Sequence, residues 1–339
     1  MAIESDLATY FNIKGYYYNF LRTILISTSL ALIGGTTIAS IEVLVFNKLL
    51  QKKPLGLVLF IKSLFYLTII FIVTSTGTII SHSLIFSKPI YDKQVLADFY
   101  NYLSGPKIWA VMMYWGFCVM LALFIVQIGE KLGQGVLLNY LLGKYHKPKE
   151  DARIFMFLDL TSSSAYAEKL GHIKYSKLLQ DCFFDLTDAV NENHVQIYQY
   201  VGDEVVLTWQ KDKGIENNRC IKTFFAFTNA LRMKSEYYEK EYGVQPEFKA
   251  GINYGFVTIA EVGEMKKELA YHGDAINTAA HIRSICGKHN KKFLVSADLI
   301  SILPTVDEEF VVESVGVCEL KGKKNVIAIF SIEEKPISS

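Results

Sequence analysis

Three long apolar stretches in the first part of the chain limit what it can fold into. They run from Leu21 to Phe46, from Leu55 to Ile80 and from Ile108 to Ile128. Each contains the roughly 20 residues that a helix needs to cross the hydrocarbon layer of a membrane. Three such stretches in succession are more typical of membrane spans than of helices buried in a soluble bundle. We therefore predict that residues 1–130 form a domain of about three helices in a lipid bilayer.

Two features inside these stretches bear on what the domain does. Glu42 and Lys62 are the only charges well inside them, and intramembrane charges are often functional. Glu42 lies near the end of its stretch, however, and Lys62 is able to extend its ammonium group to the interface. These positions favour an anchor, or a receiver of signals, over a transport pathway. An alternative number of spans, four, would follow if the first stretch doubled back at Gly34-Gly35.

The distribution of lysines predicts how the chain is oriented. The loop from Asn47 to Pro54 carries three lysines, and residues 131–150, which we interpret as a helical linker, carry four. Both segments are expected in the cytoplasm by the positive-inside rule, whereas the loop from Ser81 to Lys107 mixes both signs of charge. The prediction is a multi-pass protein of the cell (inner) membrane with its N-terminus outside and its C-terminal half in the cytoplasm.

Overall charge and cysteine spacing exclude several classes of function. The formal net charge is +1, so bulk electrostatics does not favour a nucleic-acid partner. The five cysteines show no CxxC or CxxH spacing. This pattern argues against a zinc site or a disulfide framework and is typical of a reducing compartment.

Residues 151–334 have the pattern of a soluble α+β domain. Periodicity predicts a strand, a helix, a hairpin, a second helix and two further strands separated by a turn at Gly255. In order, these elements are Arg153–Leu158, Tyr175–Val190, Val195–Trp209, Ile215–Tyr238, Phe248–Asn253 and Phe256–Glu261. The order β-α-β-β-α-β indicates a ferredoxin-like fold.

Two aspartates in this domain are candidate metal ligands. Asp159 ends the first strand and precedes a turn rich in hydroxyl residues, Thr161 to Ser164, and Asp203 follows Gly202 at the tip of the hairpin. Each alone is typical of a turn residue. Together, two carboxylates at strand ends would suit a hard cation such as Mg²⁺ that holds a triphosphate.

Five motifs in a fixed order make a specific resemblance. They are Phe-Leu-Asp159, Tyr-Val-Gly-Asp203, Ala-Gly-Ile-Asn-Tyr-Gly255, Gly-Asp-Ala-Ile-Asn277-Thr-Ala-Ala and Leu-Lys-Gly-Lys323. This set resembles the catalytic domain of class III adenylyl and guanylyl cyclases, over about residues 153–332. The resemblance implies an enzyme that converts ATP, or else GTP, to the 3′,5′-cyclic monophosphate and pyrophosphate for intracellular signalling.

The resemblance also implies roles for individual residues. Two Mg²⁺ or Mn²⁺ ions per active site would be held by Asp159, Leu160 and Asp203. The turn of Ser162, Ser163 and Ser164 would offer backbone N–H groups to the terminal phosphates. Asn277 would orient the ribose and Lys323 would bind phosphate. In this family the active site forms between two catalytic domains, so one domain per chain implies a homodimer.

Three positions depart from the family pattern. His281 occupies the position of an arginine that stabilises the transition state, and Arg283, two residues further along, points roughly 200° away on a helix. Gln199 and Ala270 occupy the positions that read the purine. Gln199 both donates and accepts, so it leaves the choice of base open. These departures motivate an alternative, a catalytically weakened module that binds nucleotide and signals through dimerisation.

Overall fold

A computed structural model describes most of the chain. The described residues are 20–46, 49–50, 53–132, 143, 147–265, 267–319 and 326–335. The chain divides into two compact units, Met1–Lys131 and Leu132–Ser339, which are described separately below.

The first unit is helical. Its elements are α1 (Phe20–Ile41), which continues into a π-helical turn (Glu42–Phe46), then α2 (Leu55–Phe86), α3 (Lys93–Ser104) and α4 (Pro106–Leu132). Among the described residues, three helices are long and apolar enough to cross a membrane: Ile24–Phe46, Leu55–Phe86 and Pro106–Gly129. Helix α1 runs without a break through Gly34 and Gly35, so the four-crossing alternative is wrong.

The two charges within these helices form a pair. Lys62 is 5% exposed, and its Nζ lies 2.5 Å from Oε1 of Glu42. The Tyr66 hydroxyl also donates to Glu42. The extension of Lys62 to the interface stays a prediction, and the structure adds that Glu42, at the end of the preceding helix, pairs with the ammonium group.

The predicted linker is described only in part. Helix α4 ends at Leu132, and the part of the linker at 133–142 and 144–146 lies outside the described residues.

The second unit is a mixed α/β domain. It comprises β1 (Lys149–Leu160), α5 (Ser163–Glu192), β2 (Gln196–Val201), β3 (Glu204–Gln210), α6 (Lys211–Ile215), a 3₁₀ turn (Glu216–Asn218), α7 (Arg219–Met233), α8 (Ser235–Tyr242), β4 (Phe248–Val262), β5 (Glu268–His272), α9 (Asp274–Ser284), β6 (Phe293–Ser296), α10 (Ala297–Ile300), α11 (Val306–Glu309), β7 (Phe310–Glu319) and β8 (Val326–Glu334).

The sheet confirms the predicted fold. Its strand order is β2-β3-β1-β4-β6-β8-β7, and β5 pairs with the end of β4. Within the first four strands every pairing is antiparallel, and these strands are joined as β-α-β-β-α-β with α5 and α7 as the principal helices. This is the ferredoxin-like arrangement, and the strands β6 to β8 extend it on one side.

The two faces of β1 are covered by different helices. Ile154, Met156 and Leu158 point to the larger core, which they share with residues of α5 and α7. Phe155 and Phe157 point to the opposite face, which α9 covers. A fully buried strand of this kind has no polar face, and this explains why its apolar run continues until Asp159.

Two predicted boundaries differ from the structure. Strand β4 continues through Gly255, where a turn was expected. A Cβ atom at Gly255 would lie 2.8 Å from Cβ of Ala275, so this glycine permits the close approach of α9 and does not reverse the chain. The predicted helix Ile215–Tyr238 is interrupted at Asn217 and Asn218, which have positive φ, and again at Lys234.

Candidate active site

Asp159 lies at the end of β1, on the side that α9 covers. Successive residues of a strand point to opposite faces, so Asp159 shares the face of Phe155 and Phe157. Those two rings pack with Ala275 and Ala279 of α9. Asp159 therefore follows directly after the apolar contact between β1 and α9, and its side chain is only 12% exposed.

The hairpin brings Asp203 to the same end of the sheet. Gly202 and Asp203 connect β2 to β3, and Gly202 has a φ of 63°, which a glycine adopts easily. The N–H of Leu160 donates to the carbonyl of Asp203 over 3.3 Å. The two chain segments that carry the predicted metal ligands are thus hydrogen-bonded to each other.

The pKa of the Tyr175 hydroxyl on α5 is affected by both carboxylates. Burial raises the pKa of its hydroxyl, and the negative charges of Asp203 and, more weakly, Asp159 raise it further. A hydrogen bond with Ser163 acts in the opposite direction. The pKa shift of one phenol by both aspartates is consistent with a shared anionic site at this end of the sheet.

The donor set fits a hard divalent cation. Asp159 and Asp203 offer carboxylate oxygen atoms, and among the described residues no group of three or more His, Cys, Asp or Glu side chains could hold a metal ion. Such oxygen ligands suit Mg²⁺ and Mn²⁺ and do not favour zinc. Leu160, the third predicted metal-binding residue, lies between the two carboxylate-bearing segments as the last residue of β1.

The serine-rich turn begins α5, whose backbone is broken at Gly171 (φ 72°) and which therefore consists of two helical segments. Ser162 adopts a left-handed conformation (φ 59°), and α5 starts at Ser163. The side chain of Ser162 makes no capping hydrogen bond in the described structure. The first N–H groups of α5, which include those of Ser163 and Ser164, are therefore available to an anion, and the helix dipole favours negative charge at this end.

Helix α9 has one buried side, and its predicted site residues Asn277 and His281 lie off that side. Its buried side consists of Ala275, Thr278, Ala279 and Ile282. Asn277 is exposed and His281, one turn later, is half-buried. Both lie off the buried side, so they face away from the sheet of their own chain.

The predicted purine-reading residues lie on two strands that do not pair with each other, Gln199 on β2 and Ala270 on β5. The rings of Tyr198 on β2 and Tyr271 on β5 are in contact at 4.8 Å. This contact brings together the segments that carry Gln199, which is exposed, and Ala270, which is half-buried. Lys323, the predicted phosphate-binding residue, lies outside the described residues.

Sequence reasoning missed three charged residues around Asp159. Glu204 pairs with it across β1 and β3, Lys249 pairs with it across β1 and β4, and Arg283 extends from α9 to reach it. Burial raises the pKa of Glu204, although the guanidinium group of Arg283 opposes the shift. The alternation of Phe155, Phe157 and Asp159 with the larger-core residues does indicate which face of β1 carries Asp159. It does not identify the partners of Asp159, because these depend on strand register.

The sequence profile of the adenylate and guanylate cyclase catalytic domain matches residues 145–333. This match covers more than half of the chain, and the chain belongs to that family. It is 33% identical over 218 residues to Adenylate cyclase 2 of Rhizobium meliloti (strain 1021), which is 64% of this chain and 59% of that protein. It is also 30% identical over 87 residues to the terminal-differentiation-specific adenylate cyclase of Dictyostelium discoideum, covering 25% of this chain and 4% of that protein.

A solved structure shows the same fold. The chain superposes on a bacterial light-regulated adenylyl cyclase with a TM-score of 0.56 at 17% sequence identity, and the match covers 66% of each chain. The chain spans about 59% of the length of its Rhizobium relative. The family and the fold of the catalytic domain are thereby shown.

Proposed function

We propose that this protein is a membrane-anchored nucleotide cyclase that converts ATP, or else GTP, to the 3′,5′-cyclic monophosphate and pyrophosphate. The observation that carries the proposal is the hydrogen bond from the Leu160 N–H to the carbonyl of Asp203, which joins the chain segments of Asp159 and Asp203 shortly before α5 begins at Ser163. ATP is favoured because the two relatives above are named adenylate cyclases.

The residues of this chain would divide the chemistry between them. Asp159, Leu160 and Asp203 would hold two divalent cations, and the N–H groups of Ser163 and Ser164 would bind the terminal phosphates. When bound, the cations would acidify the ribose 3′-hydroxyl and stabilise charge on the α-phosphate. The 3′-oxygen would bond to the α-phosphorus as the bond from that phosphorus to the oxygen shared with the β-phosphate breaks. Pyrophosphate would leave with the electrons of that bond, and the proton of the 3′-hydroxyl would pass to water or to the departing pyrophosphate.

A second chain would complete each site. Asn277 would orient the ribose and Lys323 would bind phosphate, and both would be supplied by the partner in a homodimer. The exposure of Asn277 and its position off the sheet-facing side of α9 support this assignment. A symmetric pair of chains would then have two equivalent sites.

The membrane unit would hold the catalytic domain at the cytoplasmic side. Three apolar helices provide the spans, and the lysine-rich loops on either side of the second and third spans support this orientation. Within this proposal, residues 1–130 are the anchor, 131–150 the linker and 151–334 the catalytic domain.

One observation favours a second candidate, a catalytically weakened module that binds nucleotide and signals. His281 occupies the position at which the family has an arginine, and an imidazole lacks the forked N–H groups with which a guanidinium binds phosphate. Both metal-binding carboxylates are retained, which is why we favour the enzyme.

A panel of nucleotides separates the two candidates. We expect the full chain, purified in detergent with Mg²⁺ or Mn²⁺, to form a cyclic product from at least one of ATP, GTP, CTP and UTP, measured by mass spectrometry. Asp203→Ala should lower the rate at least about 100-fold, because it removes a ligand of the cations that stabilise the transition state. The matched control is Asp212→Ala, which removes an exposed carboxylate from α6 and should leave the rate unchanged.

Two outcomes would contradict the proposal. Full activity in Asp203→Ala would show that the metal assignment is wrong. Binding of nucleotide without any cyclic product would instead favour the weakened module.

A further inference from the structure

Asp159 lies within a compact group of opposite charges, which we call the counter-ion cluster: Asp159, Glu204, Lys249 and Arg283. Oδ2 of Asp159 lies 3.4 Å from Nη1 of Arg283 and 3.1 Å from Nζ of Lys249. Nη2 of Arg283 contacts Glu204. The cluster contains two negative and two positive charges, so it is neutral without any bound ion.

Strand register places three of these side chains together. Asp159 is directly opposite Glu204 on β3 and directly opposite Lys249 on β4. Directly opposite residues project from the same face of a sheet, so both neighbours share the face of Asp159. The position of Asp159 between Glu204 and Lys249 is therefore fixed by the pairing of the strands and does not depend on a flexible loop.

The fourth side chain reaches the cluster because α9 lies very close to β4. A Cβ atom at Gly251 would lie 2.1 Å from the backbone nitrogen of Arg283 and 2.6 Å from its Cα. The absence of a side chain at Gly251 therefore allows the last turn of α9 to rest on the strand. Arg283 projects from this turn towards the carboxylates of its own chain.

The guanidinium group has two carboxylate partners. The Asp159 and Glu204 side chains are 12% and 11% exposed, and in the described structure Nε of Arg283 is buried without a hydrogen-bond partner. If Arg283 lost its contact with Asp159, its contact with Glu204 would remain. The guanidinium group can therefore leave Asp159 and still be paired with Glu204. This matters because an unpaired charge is costly in a poorly solvated site.

We propose that Arg283 is an internal counter-ion that competes with divalent cations for Asp159. Binding of a cation requires the guanidinium group to leave Asp159 and remain on Glu204 alone. Arg283 is in this sense a positioning residue, because it acts through Asp159 and sets the cation concentration at which the site fills. The inference rests on the proposed function in taking Asp159 as a metal ligand.

The test measures cation binding without nucleotide. The full chain in detergent is titrated with Mn²⁺ alone, and free Mn²⁺ is followed by electron paramagnetic resonance. Arg283→Gln should lower the Kd for Mn²⁺ at least about tenfold, because a positive charge next to the cation is lost. Arg283→Lys keeps the charge, and its Kd should stay within about threefold of the wild-type value.

Two further variants make the result specific. Lys177→Gln removes a surface positive charge of α5 that pairs with Glu241 and not with the counter-ion cluster, and it should leave the Kd unchanged. Glu204→Gln removes the second partner of Arg283 and leaves the guanidinium group to Asp159. It should raise the Kd at least about threefold, since the cation then meets a stronger competitor and one fewer negative charge. Circular dichroism checks that each variant is folded.

The outcomes separate this inference from the proposed function. Equal Mn²⁺ affinity in wild type and Arg283→Gln, or equal tightening in Arg283→Gln and Arg283→Lys, would overturn the counter-ion role alone. If Arg283→Gln does not fold, an unchanged Kd in Glu204→Gln would overturn it instead. Absence of Mn²⁺ binding by the wild type would overturn the metal assignment and the inference together.

Discussion

His281 is the residue at which this chain departs furthest from the chemistry that its family implies. It lies one helical turn after Asn277 on α9, off the buried side of that helix. Arg283 does not replace it within the same chain, because its guanidinium group contacts Asp159 and Glu204. In the proposed dimer, the charge near the transition state would then depend on a half-buried histidine.

Replacing His281 with arginine should therefore raise turnover. A guanidinium group is fully charged at every physiological pH and donates several hydrogen bonds to phosphate. We expect kcat of His281→Arg to increase at least about tenfold with little change in KM, because the added charge acts on the transition state. Steady-state kinetics with the preferred nucleotide measures both constants.

The control for this variant is His172→Arg, the same substitution at an exposed position of α5. Its kinetics should match the wild type. Unchanged kcat in His281→Arg would mean that another group already supplies the charge.

Some residues of the candidate site could be identified from the sequence and others could not. Asp159 and Asp203 stand at strand ends within motifs of the resemblance, so the sequence was enough to name them as candidates. The roles of Glu204, Lys249 and Arg283 depend on which strands are neighbours and which side of α9 faces the sheet. Those are tertiary facts that helical periodicity alone does not determine.

At the scale of elements, the order of strands and helices followed from periodicity, because strands and helices repeat at about 2 and 3.6 residues. Gly255 shows where this reasoning ends. A glycine between two apolar runs is typical of a turn, but it is equally typical of a strand that another element approaches closely. Only the contact with Ala275 distinguishes the two.

The contact between α9 and β4 makes a prediction about Gly251. Gly251→Ala should destabilise the catalytic domain by about 3 kcal/mol or more, because the new methyl group would meet backbone atoms of Arg283 that no side-chain rotation can move. Chemical denaturation followed by tryptophan fluorescence measures the change in free energy of unfolding, since Trp209 is buried in the main core.

Gly287→Ala provides the matched control. A Cβ atom at Gly287 would meet no atom within 4 Å, so this variant should be close to wild type in stability. Equal stability of the two variants would contradict the close packing of α9 on β4.

At the scale of the whole molecule, the chain consists of two units whose proposed link is functional. Three apolar helices were predicted from length and hydrophobicity alone, and the helices of the first unit agree with that count. The sequence offered Glu42 and Lys62 as a pair only as an alternative, and their contact depends on how α1 and α2 pack against each other. The proposed homodimer rests on the family and on the outward position of Asn277.

Complementation between two inactive variants tests the shared site most directly. Asp203→Ala disables the metal side of a site and Asn277→Ala disables the ribose side. If each site combines the two sides from different chains, a mixed dimer has one doubly altered site and one intact site. Co-expression of the two variants should then restore about a quarter of wild-type activity, because about half of randomly formed dimers are mixed and each mixed dimer has one working site. Activity no higher than that of either variant alone would contradict a site built from two chains.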